Sequence, residues 1–224
     1  MLVSGVSLRR TALLLRINRK TPVRILGIEA KRSEKALKEA NEAAPRACTI
    51  EFDDLETFEH TKCKPLSVTL AVEHKTRRIL GLEVSRMAAN GRLASKSRQL
   101  YGKRRDERRL GRERLFKKIK PLVRPDALIK SDQNPYYVAQ VKRHFPHAKH
   151  QRFKGRRGSS TGQGELKKVK FDPLYTLNHT CAMLRANINR LVRKTWCTTK
   201  RPDRLYAHLV LYAQFHNSVL IPQP

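Results

Sequence analysis

Two runs with apolar side chains at every second position, LSVTLAV (66–72) and RILGLEVSRM (78–87), are separated by only EHKTR. Period two is the signature of a strand. It puts Val68, Leu70 and Val72 on one face of the first run, and Leu80, Leu82 and Val84 on one face of the second. The spacing predicts a hairpin, and CTIEFDDLETFEH (48–60) reads as a third strand ahead of it. Downstream, the apolar run ALIKSD (127–132) ends in one carboxylate, and a helical pattern follows with Val138, Val141 and Phe145 on one side. AKHQRF (148–153) reads as a further short strand. Leu177, Cys181, Leu184, Ile188 and Leu191 recur at helical spacing and mark a buried stripe, and a last helix near 203–216 presents Leu205, Leu209, Tyr212 and Phe215. Three strands, helix, strand, helix, strand, helix is the order of an α/β layer architecture with a mixed sheet.

Ahead of the strands, VSLRRTALLLRINRKTPVRIL (6–26) reads as a helix-turn-helix. Ser7 caps a first helix with Leu8, Ala12 and Leu15 inward; Ile17 plugs the turn, and Asn18 caps the second helix. Arg19, Lys20, Thr21 and Arg24 then face DNA. Pro22 fits less well, because it removes an N–H in the first turn; a plain basic helical hairpin accommodates the same residues. EAKRSEKALKEANEAA (29–44) is a charged helical connector ending at Pro45. The expected division is a helix-turn-helix at 1–28, a linker at 29–46, the α/β domain at 47–217 and a tail at 218–224.

Charge narrows the partner. Lysine and arginine number 49 against 19 acids, a formal +30, and residues 90–170 hold 25 basic and 6 acidic residues. Such a surface binds polyanions by displacing counterions, so nucleic acid is the expected partner. Lys154, Arg156 and Arg157 in the loop KHQRFKGRRGSSTGQG (149–164) are candidate phosphate contacts. No apolar run is long enough to span a bilayer, and the start lacks signal-peptide character, so the expected location is the cytoplasm, on the nucleoid, without a membrane partner. Cys48, Cys63, Cys181 and Cys197 form no CxxC pair, which argues against a zinc site or disulfide framework and for buried or half-buried thiols. The eight histidines are scattered and read mostly as surface or cap residues; His179 alone is a catalytic candidate. Ser159, Ser160 and Thr161 have no base at recognisable spacing.

Against that charge, EFDDLETFE (51–59) concentrates 5 of the 19 acids. Buried together they need cations, either arginine and lysine from elsewhere in the fold or a divalent metal. Asp132 ends a strand, where open α/β sheets place ligands, although Asp in SDQNP also suits a turn. If the first and fourth strands are neighbours, Asp53 and Asp132 meet, and two carboxylates in a basic groove suit Mg²⁺ against a phosphodiester.

At this point the chain resembles the small insertion-sequence transposases of the DDE type, whose catalytic domain is RNase H-like. GVSLRRTALLLRINRKT resembles their helix-turn-helix, EFDDLETFEHTK the first catalytic strand and LIKSDQNPYY the second catalytic aspartate. LRANINRLVRKTWCTTK (184–200) resembles the C-terminal helix and is the most specific match. The resemblance implies Asp53 and Asp132 as catalytic Mg²⁺ (or Mn²⁺) ligands, and Asn178 at the position of the third acid. It further implies double-stranded DNA, at element ends and target, as substrate, and a homo-oligomer on that DNA. Two departures accompany it. No zinc ribbon precedes the helix-turn-helix, as in a truncated or split frame, and an amide stands where a carboxylate belongs, with Asp172 and Glu165 the nearest upstream acids. A transposase, a catalytically degenerate DNA-binding repressor, and an RNase H-like nuclease with another substrate all remain open.

Overall fold

The computed structural model describes residues 1–154, 172–191 and 198–221. Strands β1 (Ala47–Phe58), β2 (Pro65–Glu73) and β3 (Ile79–Arg86) run antiparallel, while β4 (Val123–Asp132) and β5 (Lys149–Phe153) continue the sheet in parallel from β1. The five strands lie in the order β3-β2-β1-β4-β5. Seven helices accompany them among the described residues: α1 (Leu8–Leu14), α2 (Lys20–Ala43), α3 (Leu93–Tyr101), α4 (Arg108–Ile119), α5 (Pro135–His144), α6 (Tyr175–Asn187) and α7 (Pro202–Phe215). This is the α/β mixed-sheet architecture expected from the order of patterns.

Each face of the sheet carries a core. Leu55, Val68 and Leu70 pack against Leu37 of α2, Leu177 and Leu184 of α6, and Leu205 and Leu209 of α7. On the other face, Ile50, Phe52 and Ile129 meet Leu115 and Phe116 of α4 and Tyr137 and Val141 of α5. Covered on both sides, β2 is buried nearly end to end, Ser67 and Thr69 included. The expected alternation breaks at one place. Gly81 pairs with Ala71 and Ile79 with Val72, so Leu80 is an unmatched extra residue, and its side chain turns to the α4 side, away from Leu82. On α5 the inward residues are Tyr137, Val141 and Phe145, whereas Val138 is exposed.

At the N-terminus, Ser7 accepts from the Arg10 N–H (3.2 Å) and caps α1 as expected; Asn18 accepts from the Lys20 N–H (2.9 Å), but the capping position of α2 is Arg19, which makes no side-chain cap bond. Pro22 is the third residue of α2, where no intrahelical N–H bond is required. Other expectations for this segment fail. Leu15 and Ile17 are exposed, leaving only Thr11 and Ala12 buried in α1. The second helix and its connector are one continuous helix, because Leu26, Ala30, Ser33, Leu37 and Asn41 form a single buried stripe through residue 28. Asn41 Nδ2 donates to Ile79 O (3.1 Å), tying α2 to the edge strand β3.

Polar expectations change too. Cys48 is exposed rather than buried, and Cys197 lies outside the described residues. His144, His208 and His216 are buried rather than surface residues. Among the described residues no helix is long and apolar enough to cross a membrane.

Candidate functional site

The acid-rich strand β1 divides its carboxylates by parity, since successive side chains point to opposite faces. Asp54 points to the α4 side and is neutralised there. It ion-pairs with the buried Arg112 (2.7 Å) and accepts from the Thr69 hydroxyl on β2. Arg112 in turn donates to Gln140 Oε1 (2.6 Å) and lies over the Tyr137 ring at 5.2 Å. Glu59 is met by Arg104 at 3.8 Å. Two of the five acids are therefore balanced by arginines of the protein itself.

Asp53 is different. β1 and β4 are parallel neighbours with Ile50 opposite Ile129 and Glu51 opposite Lys130, so the same register two residues on brings Asp53 level with Asp132. Asp53 Oδ1 accepts from the Tyr137 hydroxyl (2.9 Å) and the Asp54 N–H (2.7 Å). Even so, burial first, and the nearby charge of Asp132 second, push its carboxyl up to about 6. Among the described residues no lysine or arginine pairs with Asp53 or Asp132. Asp132 Oδ1 accepts from the Asn134 N–H (2.9 Å) in the turn that leads into α5, where Asn134 caps the helix and Pro135 opens it. The turn role and the placement beside Asp53 coexist.

The third expected residue is engaged by another acid. Asn178 is exposed on α6 and donates to Asp172 Oδ2 (2.7 Å), and Asp172 also accepts from the Leu174 N–H (3.0 Å) at the helix entry. On α6, Cys181 packs against the core of Leu177 and Leu184; burial pushes its thiol up to about 12, with the Arg185 charge opposing the rise and that of Asp53 adding to it. Among the described residues no group of three or more His, Cys, Asp or Glu side chains converges to hold a metal. Glu165 lies outside the described residues. His179 faces elsewhere, with its Nδ1 3.2 Å from Arg77 and its ring beside Tyr175.

Two residues of this region escape sequence reading. Tyr137 is fully buried, while its neighbour Tyr136 is 70% exposed, so the Tyr-Tyr pair does two jobs. Glu51, fully buried, lies two residues before Asp53 on the same face; period two could have flagged it.

Arg19, Lys20 and Arg24 are exposed at the start of α2, and Thr21 is half-buried. Arg9, Arg10, Arg16 and Arg19 line a groove of about 630 Å³ together with Ala12, Leu13 and Ile17. Lys154 is exposed immediately after Phe153, which pairs with Asp132; Arg156 and Arg157 lie outside the described residues. No family model and no curated protein sequence matches the chain.

Proposed function

We propose that the chain is a metal-dependent polynucleotidyl transferase of the DDE transposase kind, acting on double-stranded DNA through an RNase H-like sheet. One observation carries this reading: in a protein of net charge +30, Asp53 and Asp132 adjoin on parallel strands with no cation of the described residues paired to them. A charge-poor acid pair in so basic a protein is suited to a cation from outside. Two hard oxygen donors fit Mg²⁺ or Mn²⁺.

Bound there, the metal would supply Lewis-acid activation of an attacking oxygen and stabilisation of the leaving one. Asp53 and Asp132 would hold it. Tyr137 orients the Asp53 carboxylate through Oδ1, and Arg112 keeps Asp54 occupied, so the neighbouring acid does not compete for the ion. Arg9, Arg10, Arg16, Arg19, Lys20, Arg24 and Lys154 would contact backbone phosphates, which positions DNA without reading its sequence. The expected 3′-hydroxyl joining step follows nicking at the same site.

Asp132→Ala should reduce Mg²⁺-dependent nicking of element-end DNA by at least about 100-fold, the scale of losing one essential electrostatic group. Salt-dependent DNA binding should stay within twofold. Nicking unchanged in that variant would refute the site. The engagement of Asn178 by Asp172 favours a second reading in which this protein binds end DNA without cutting it. Wild-type protein that binds but never nicks would establish it. Cleavage without strand joining would instead point to a nuclease.

A further inference from the structure

Helix α6 closes the face of the sheet that carries Asp53, yet its N-terminus has no cap of its own: Leu174, the capping residue, makes no side-chain cap bond. The Leu177 N–H in the first turn instead donates to Glu51 Oε2 (2.9 Å), reaching across to β1. Glu51 is fully buried, and its other oxygen lies 2.6 Å from His74 Nδ1. His74 Nε2 is 3.4 Å from Lys130 Nζ, so Lys130 can donate to Nε2 while Nδ1–H donates to Glu51. Buried Glu51 is thus met on one oxygen by a helix N-terminus and on the other by the His74 ring.

The geometry has a consequence for the carboxylate pair. From Glu51 to Asp53 is two strand residues, roughly 6.6 Å. From Leu177 to Cys181 is four helix residues, roughly 6 Å. The Glu51–Leu177 bond therefore ties the first turn of α6 to β1 two residues before Asp53, and Cys181, one turn further along, packs against the same core as Leu177 and Leu184.

We infer that Glu51 is a positioning residue, whose bond to the Leu177 N–H fixes which residues of α6 face Asp53 and Asp132. Its consequence for nicking rests on the metal-site reading above; its consequence for geometry does not. Full-length wild type, Glu51→Ala and Glu51→Gln are alkylated with iodoacetamide, and each cysteine is located by mass spectrometry. Exposed Cys48 serves as the reference and buried Cys63 as the reporter of general loosening. Glu51→Ala should raise the Cys181 rate at least tenfold relative to Cys48 while the Cys63 rate stays within twofold. Glu51→Gln keeps an oxygen for Leu177 and should restore Cys181 to within threefold of wild type. Nicking should fall with Glu51→Ala and recover with Glu51→Gln.

A Cys181 rate unchanged by Glu51→Ala, or one that rises in step with Cys63, overturns the inference. Should Glu51→Ala fail to fold, Glu51→Asp withdraws the carboxylate by one methylene, and the same labelling decides. If the wild type does not nick DNA at all, the metal reading falls, and the labelling still passes judgement on Glu51.

Discussion

Replacing Asp53 with Asn should make the protein more stable when no metal is present. Burial and the charge of Asp132 raise the Asp53 carboxyl from 3.8 to about 6. Between those values the folded protein keeps a proton that the unfolded chain has released. Stability therefore falls as pH rises through about 4 to 6, and stays lower above that window. At about 1.4 kcal/mol per pH unit, the ionised carboxylate costs about 3 kcal/mol at pH 7.5. Asparagine removes the charge but keeps an oxygen for the Tyr137 hydroxyl and the Asp54 N–H, and its amide can donate to Asp132. The expected gain is about 2–3 kcal/mol at pH 7.5, or roughly 4–12 °C in Tm for a chain of this size, shrinking to nothing near pH 4. Urea denaturation of both proteins in EDTA at the two pH values measures it. Added Mg²⁺ should then stabilise the wild type and not the variant. A variant no more stable than wild type at pH 7.5, or equally advantaged at pH 4, would show that Asp53 carries no such burden.

Arg112→Ala should cost about 3–5 kcal/mol by leaving Asp54 buried and unpaired, and Arg112→Met combined with Asp54→Leu should recover most of it; a loss below about 1 kcal/mol in denaturant melts would contradict the pairing. Gly111→Ala drives a methyl into Ser85 and should destabilise by about 1–3 kcal/mol as α4 is pushed off β3, whereas Gly27→Ala meets open space in α2 and should stabilise by about 0.5–1 kcal/mol. Thermal melts that ranked these two alanines the other way would contradict the close approach of α4.

Element type and order were legible from the sequence because they follow from local periodicity. The hairpin and the strand ending at Asp132 stand where the spacing puts them, whereas the helical stripe expected over 177–191 is cut at Asn187, because Ile188 turns extended and Leu191 lies in a separate 3-10 turn. Boundaries that depend on packing were not. The chain at residue 28 gives no sign of continuing one helix, since its continuity comes from a stripe resting on α7 and β3, and Leu80 changes face because of a pairing shift between β2 and β3. Ile17 reads as a turn plug, but its side chain stays exposed.

The same division runs through the site. Composition alone set the net charge of +30, and the scarcity of acids singled out Asp53 and Asp132 as residues needing an explanation. Which acids would be neutralised was a matter of tertiary structure, because a carboxylate's partner is chosen by the strand and helix that happen to lie across from it. Parity sent Asp54 to Arg112, the helix N-terminus claimed Glu51, and the parallel β1–β4 register left Asp53 facing Asp132. Asn178, singled out by sequence matching, donates to Asp172 at the entry of α6, a partner set by how the preceding chain turns into the helix.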